Sequence, residues 1–541
     1  MIVFGSRGSD LALTQTRQVA QRLLAATGEQ YRIAVIETTG DRVLERPLDA
    51  IGVKGAFTVE LAEALRAGRI DAAVHSLKDL PVEAPPDLTI AAIPERADPS
   101  DVVVATATAI ADGEAGLPLR PGVRVGSSSP RRRYAVKHHR DDLDLRDVRG
   151  NVPTRVQKVA RGDYDAVLLA AAGLDRLALD LGALQRRALP TAAFPPAPGQ
   201  GALAVECRSD DARVRNLLSQ LHDESAARCV QAERALLQGL GGGCSLPLGA
   251  LVQPVGAAFR LQAALFCDSG AGLWCDRTTH DLDGLVQELA ALWAPLLSRP
   301  LRGLRVALPR PDGRGGALAE ALTFAGADVE ALAWTRTEPV AADESRVHAL
   351  CKAAALAFGS PRAVERWFAV AGARAGDGPR TTFAVGDGTA AALRSHGVEP
   401  GVSDGSGGEA MAAMVCQALA PGRVVGYPCA ADRHDGFERA MQAAGREVLP
   451  LPLYRTSAVA RPPAPAATPH VVLLTAPSLA AVFAASADLR DVPCAAIGET
   501  TAAALRAAGI QPAVTAGRAT PTAVALCLME LHHERPSTSP A

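Results

Sequence analysis

A chain of 541 residues is longer than one hydrophobic core supports, and its length predicts roughly three to five domains. With 48% hydrophobic and 21% charged residues it reads as folded globular protein, which excludes an extended disordered chain. A net charge of −2 offers nucleic acid no bulk field and 4% aromatics leave few stacking platforms, so any anion site must be built locally.

In chain order, MIVFGSRGSD enters a strand directly, with no basic segment or apolar run of an export signal. No stretch approaches the roughly 18 uninterrupted apolar residues that span a bilayer, so the expectation is a cytoplasmic monomer with neither membrane nor nucleic-acid partner. A helical stretch follows, LALTQTRQVAQRLLAA, in which Val19 and Leu23 lie one turn apart. RIAVIETTG, IDAAVHS, VRVGSSS and YDAVLLAAAG each read as a buried strand ending in small residues or a turn. Strands and amphipathic helices thus alternate, an α/β signature.

After about residue 215 the pattern changes. ESAARCVQAERALLQGL is a helix, LGGGC ends it in a glycine-rich turn, and FRLQAALF reads as a strand of a smaller α+β domain. RPLRG at Arg299–Gly303 marks a linker. Ten cysteines, scattered from Cys207 to Cys527 without CxxC pairs, predict reduced thiols and no metal site.

The remainder contains a duplication. GDGTAAALRSHGVEP at 386–400 matches GETTAAALRAAGIQP at 498–512, offset by 112. FGSP at 358–361 matches LTAP at 474–477, and AGADVEALAWTRT at 325–337 matches AGREVLPLPLYRT at 444–456, offset by 116 and 119. Three blocks in one order at nearly constant spacing predict two similar α/β lobes. The tail HHERPSTSPA is polar and predicted to fray.

Arginine placement suggests the ligand of the first half. In VRVGSSSPRRR a strand precedes a serine run and Pro130, so Ser128 or Ser129 can cap a helix whose start favours an anion, with Arg131 and Arg132 beside it. In DVRGNVPTRVQKV, Arg149 follows a strand and Arg155 opens a helix; in FGSRGSDLA, Arg7 and Ser9 occupy the same strand-to-helix position. Three such starts point to a ligand with several carboxylates or phosphates. No GxxxxGK[ST] or GxGxxG loop is placed to hold a nucleotide. AVHSLKDLPVE sets Lys78 and Asp79 at the end of a buried strand, where an acid can stabilise a cation or accept from N–H groups; a surface ion pair is the competing reading. LGGGCSLPLGA leaves Cys244 in a glycine turn, accessible enough to carry a covalent group, against the alternative of a buried structural thiol.

Together GSRGSDLALTQ, AVHSLKDLPVE, GSSSPRRR, LRDVRGNVPTR, AAGLDRL, PAPGQGALAVEC and GGGCSLPLG, in this order over roughly residues 1–300, resemble the porphobilinogen deaminase family. The resemblance implies two α/β domains like periplasmic binding proteins at 1–215, the second (about 100–195) inserted in the first and the two flanking a cleft. It also implies a small α+β cofactor domain at 216–300. Cys244 would hold a dipyrromethane cofactor through a thioether, and four porphobilinogens would be joined with loss of ammonia. Asp79 would stabilise the cation formed as ammonia leaves. Lys78, Ser128, Ser129, Arg131 and Arg132 would bind the cofactor, and Arg7, Ser9, Gln15, Lys54, Arg149, Arg155 and Arg176 the substrate carboxylates. Val59 stands where the family often has a second lysine, so a lid contact there is weaker or supplied by a neighbour.

RVALPRP, LAFGSPRAVERWF, LPLYRT, VVLLTAPSLAAVF and AAIGETTAAALRAAGI resemble uroporphyrinogen-III synthase, which implies a two-lobed α/β half at 303–530 that closes hydroxymethylbilane with inversion of its last ring. One lobe would hold about 303–337 plus 457–530 and the other 338–456, joined by two crossover strands at the T/Y-R-T segments, with a polar tail at 531–541. Tyr454 is the candidate acid, with a half-buried structural tyrosine as the equal alternative. Ser360, Thr475, Thr500 and Thr501 are expected in turns facing a cleft. Competing readings are a degenerate second half, a non-catalytic anion-binding protein, and, more distantly, a nucleic-acid binder using Arg131–Arg133 and Lys137–Arg140.

Overall fold

Short runs of small and β-branched residues become strands buried on both faces, the pattern of sheets covered by helices. The computed structural model describes all residues except 38–57, 84, 112–115, 244, 312, 314, 378–380, 404–406, 434 and 534–541. Lys54 and Cys244 therefore lie outside the described residues, as does most of the polar tail. The chain divides into two units, Met1–Ala294 and Pro295–Ala541.

The first unit opens with β1 (Ile2–Ser6), β2 (Tyr31–Val35), β3 (Ala72–Ser76) and β4 (Leu88–Ala92). The chain then leaves this sheet and builds another from β5 (Asp101–Ala105), β6 (Arg124–Gly126), β7 (Asp144–Arg146), β8 (Ala166–Ala170) and β9 (Gln185–Ala188), before returning as β10 (Leu203–Arg208). The strand orders are β2-β1-β3-β10-β4 and β7-β6-β8-β5-β9. In each, four strands share one direction and the strand entering from the other sheet's side of the chain, β10 or β5, runs antiparallel to both neighbours. The chain thus crosses between the sheets twice, at 93–100 and 189–202.

Helix Asp10–Thr27 covers one face of the first sheet, where its Val19 and Leu23 pack with Ile2, Phe4, Val74 and Val205. Each such fully buried side chain contributes about 1.5–3 kcal/mol. Leu61, Leu65 and Ile70 cover the other face. A three-stranded antiparallel meander follows, β11 (Leu248–Val255), β12 (Ala258–Phe266) and β13 (Gly272–Thr279), with helices Glu224–Gly239 and Leu282–Trp293 packed on one another beside it. Helix Pro130–His139 reaches this meander with its last turn. Lys137 Nζ donates to the Asp268 carbonyl at 2.7 Å, and the His138 ring packs on Phe266 and Trp274.

Among the described residues, the second unit is built on one ten-stranded sheet. It comprises β14 (Arg305–Pro311), β15 (Asp328–Pro339), β16 (Ala355–Phe358), β17 (Thr381–Val385), β18 (Gly401–Ser403), β19 (Val425–Ala430), β20 (Val448–Ala458), β21 (Val471–Leu474), β22 (Cys494–Ala496) and β23 (Val514–Thr515). The order is β18-β17-β16-β19-β20-β15-β14-β21-β22-β23, parallel throughout except where Thr335–Pro339 of β15 meets Tyr454–Ala458 of β20. Read outward from that ladder, the halves repeat strand for strand. The duplicated blocks fall at equivalent places: β15 with β20, the ends of β16 and β21, and the helices after β17 and β22. Among the described residues, no helix is long and apolar enough to cross a membrane.

Candidate active sites

In the first unit the polar groups gather where the two crossings pass each other. β3 ends in a single 3-10 turn, Leu77–Asp79, which buries Leu77 and leaves the Asp79 side chain exposed. Lys78 Nζ turns inward and donates to Gln200 Oε1 at 3.3 Å. Burial pushes the Lys78 ammonium down to about 8, with the Asp79 carboxylate opposing that shift and Arg132 adding to it. Gln15 and Ser76 tie the first helix to the end of β3 through a 3.1 Å bond from Gln15 Nε2 to Ser76 Oγ.

Helix Pro130–His139 starts as the sequence predicts, with proline in its first turn and Ser129 as cap accepting from the Arg132 N–H. The two arginines that follow are buried, at 4% and 7% exposed, and converge on Asp101, at 1%. Arg131 Nη1 donates to Asp101 Oδ2 at 2.7 Å, and Arg132 Nη2 to Oδ1 at 2.8 Å. Burial alone would raise the Asp101 carboxyl, but the two guanidiniums outweigh it and hold the group well below the ordinary carboxylate range. One carboxylate between two guanidiniums leaves a net positive charge, and Arg131 Nε is buried without a hydrogen-bond partner among the described residues. Such a donor set fits an anionic ligand.

Gln200 joins the parts. Its carboxamide is 1% exposed, donates to the Pro99 carbonyl at 2.7 Å and to Asp101 Oδ1 at 2.9 Å, and accepts from Lys78 and Arg132. Behind it Glu233, fully buried, accepts from Arg96 Nη1 at 2.6 Å, the Gly199 N–H at 2.8 Å and the Val252 N–H at 2.9 Å. Neither residue was singled out from the sequence. The available signal was PAPGQGA, a glutamine between two glycines, both of which take positive φ.

The other expected residues divide. Arg155 is half-buried, its Nε donating to the Gly150 carbonyl at 2.8 Å; burial and then the charges of Arg132 and Arg149 push it down. Arg149 is exposed. Arg176 hooks the Gly201 carbonyl at 2.7 Å, and burial pushes it down to about 10. Arg7 is half-buried in the turn after β1, and Ser9 caps the following helix, accepting from the Ala12 N–H at 3.3 Å. Ser128 Oγ donates to the Val148 carbonyl at 2.6 Å and accepts from the Val148 N–H at 3.1 Å, so its hydroxyl is engaged in fixing the loop.

In the second unit Tyr454 lies on the joining ladder, 8% exposed, with its hydroxyl 2.8 Å from Ser360 Oγ. Burial pushes its phenol up. Ser360 also caps helix Pro361–Ala371, accepting from the Ala363 N–H at 3.1 Å. Arg362, in the first turn of that helix, donates to Thr337 Oγ1 on β15. Thr475 is half-buried in the turn after β21. Thr500 and Thr501 correct the expectation of turn residues. Gly498 is fully extended and ends the turn, so both threonines stand in the first turn of helix Glu499–Ala507, Thr500 outward and Thr501 buried at 3%.

Residues 2–216 match the family model described as porphobilinogen deaminase, dipyromethane cofactor binding domain, and 227–270 the model of that enzyme's C-terminal domain. Residues 317–525 match the model for uroporphyrinogen-III synthase HemD. Among curated proteins, a porphobilinogen deaminase of Roseiflexus sp. (strain RS-1) is 48% identical over 50% of this chain and 87% of its own. Another of Roseiflexus castenholzii is 43% identical over 60% and 96%. A solved uroporphyrinogen III synthase of Thermus thermophilus aligns with 43% of this chain and 100% of its own at 20% identity and TM-score 0.31. Matches in both halves define a two-part enzyme of tetrapyrrole biosynthesis, a transferase followed by a lyase. The chain belongs to the porphobilinogen deaminase family and carries a uroporphyrinogen-III synthase domain behind the deaminase.

Proposed function

We propose that the first unit joins four porphobilinogens head to tail, releasing ammonia at each step and hydroxymethylbilane at the end, and that the second closes this bilane to uroporphyrinogen III. The observation that carries the reading is the convergence of Lys78, Arg131, Arg132 and Gln200 beside the exposed Asp79, in a chain whose first 216 residues match the deaminase model. Substrates that bring new carboxylates with each ring need fixed cations, and arginines cannot lose their charge at working pH.

Asp79, at the rim, stabilises the cation left on porphobilinogen as ammonia departs and accepts the pyrrole N–H. Arg131 and Arg132, oriented by Asp101, hold cofactor carboxylates together with Lys78 and the loop of Ser128 and Ser129. Arg149, Arg155 and Arg176, with Arg7, Ser9 and Gln15 at the first strand–helix turn, receive the acetate and propionate groups of incoming rings. The matched strand orders and the double crossing support a pair of domains like periplasmic binding proteins, moving about the crossings as the chain grows.

The buried, cation-rich set around Arg131 suits dipyrromethane, which supplies the primer on which condensation starts. Its attachment falls to Cys244. Intact mass tests this: the wild-type chain exceeds its sequence mass by one dipyrromethane and Cys244→Ser does not. A wild-type chain that stays unmodified and inactive with porphobilinogen contradicts the reading.

In the second unit Tyr454, held by Ser360, protonates the departing hydroxyl of the bilane, and backbone N–H groups of the turn at Thr475 and of the helix start at Thr500 meet its carboxylates. The cleft's main contribution is to hold the two ends of the bilane in the conformation that closes with inversion.

A further inference from the structure

Several arginines of the second unit sit against a carboxylate: Arg336 with Glu338, Arg374 with Glu344, Arg394 with Glu399, Arg433 with Glu438, Arg506 with Glu499. Arg310 differs. It is half-buried, no carboxylate among the described residues pairs with it, and its Nε is buried without a hydrogen-bond partner. A desolvated cation with an unmet donor is an unfavourable element of a resting fold and a favourable one where an anion binds.

Its position says which anion site it belongs to. Arg310, one residue before the end of β14, is in register with Ala333 of β15. Farther along β15, Thr337 accepts from the Arg362 guanidinium, and Pro339 is paired with Tyr454. Ala333 to Pro339 is about 20 Å of strand. Arg362 stands two residues after Ser360, the partner of the Tyr454 hydroxyl at 2.8 Å. Burial first, and then the charge of Arg362, push Arg310 down, so the two guanidiniums feel each other. An anion between them relieves both repulsion and desolvation.

We propose that Arg310, acting with Arg362, is a carboxylate-binding site for an acidic side chain of the linear tetrapyrrole, set along β15 from Tyr454. The proposal rests on the synthase reading of the second unit. It makes Arg310 a binding residue and leaves proton transfer to Tyr454.

The test supplies hydroxymethylbilane to the full chain and measures KM, kcat and the isomer of the product. Arg310→Gln is expected to raise KM about tenfold or more while kcat for the type III product stays within about threefold, because the lost charge-assisted contact is made before and during closure. Arg310→Lys keeps a charge without the fork and falls between; it also decides the matter if the glutamine variant does not fold. Porphobilinogen consumption by the same preparations stays at the wild-type rate. Unchanged KM in these variants, with type III product still formed, overturns the site and leaves the synthase reading standing. A wild-type chain that yields only the type I isomer overturns both.

Discussion

Asp101 shows how a cluster of buried cations is held together. Two buried guanidiniums share one buried carboxylate, and removing that charge leaves both uncompensated. Breaking a buried pair costs about 3–5 kcal/mol, so Asp101→Asn is expected to lower the hydrogen-exchange protection of β5 and β8 by that order; unchanged protection would mean the pair is not integral to the sheet. Lys78 gives a pH signature. Its ammonium, lowered to about 8 mainly by burial, is charged below that value and neutral above it, and a bound carboxylate can only raise the value. Loading of the cofactor-free chain with dipyrromethane, read by intact mass, should therefore weaken as pH rises past about 8, and Lys78→Arg should remove that limb; a flat profile in the wild type contradicts the role. Stability runs the other way: between about 8 and the ordinary lysine value the unfolded chain binds the extra proton, so folding gains as pH rises through that window. The sequence showed the arginines, because PRRR behind a serine run is a local pattern. It could not show Asp101, since an ion pair between residues 101 and 131 leaves no periodic trace, nor Gln200, whose function depends on where two crossings meet.

At the scale of elements, the turn before β10 governs Gln200. Gly201 takes φ +85, and a Cβ there would stand 2.5 Å from the Ala97 carbonyl oxygen. Gly28 takes φ +72 with nothing within 4 Å of such a Cβ. Gly28→Ala should thus cost about 1–2 kcal/mol from backbone strain alone, and Gly201→Ala clearly more, with loss of deaminase rate as Gln200 shifts. Melting curves and rates of the two variants check this, and equal effects would deny the close approach. Strand and helix periods carried most elements legibly: Val19 and Leu23 pack as their spacing says, and the three duplicated blocks land on equivalent strands and helices. Thr500 and Thr501 were misread as turn residues because a glycine before them can either continue a turn or start a helix, and only the extended Gly498 decides. Arg310 was hidden for a related reason: a half-buried cation whose Nε finds no partner among the described residues is defined by what fails to surround it.

For the whole molecule, one chain carries a deaminase and the synthase domain that takes its product. A free linear bilane closes spontaneously to the type I isomer, so joining the activities raises the effective concentration of the second for the first's product. The benefit is chemical as well as kinetic, because the isomer records which route the bilane took. The most direct measurement feeds porphobilinogen alone to the purified chain and resolves the uroporphyrin isomers after oxidation. The type III isomer should dominate, and Tyr454→Phe should move the product toward type I while porphobilinogen is consumed at the wild-type rate. Consumption of porphobilinogen by the wild type with type I as its main product would contradict the two-enzyme account.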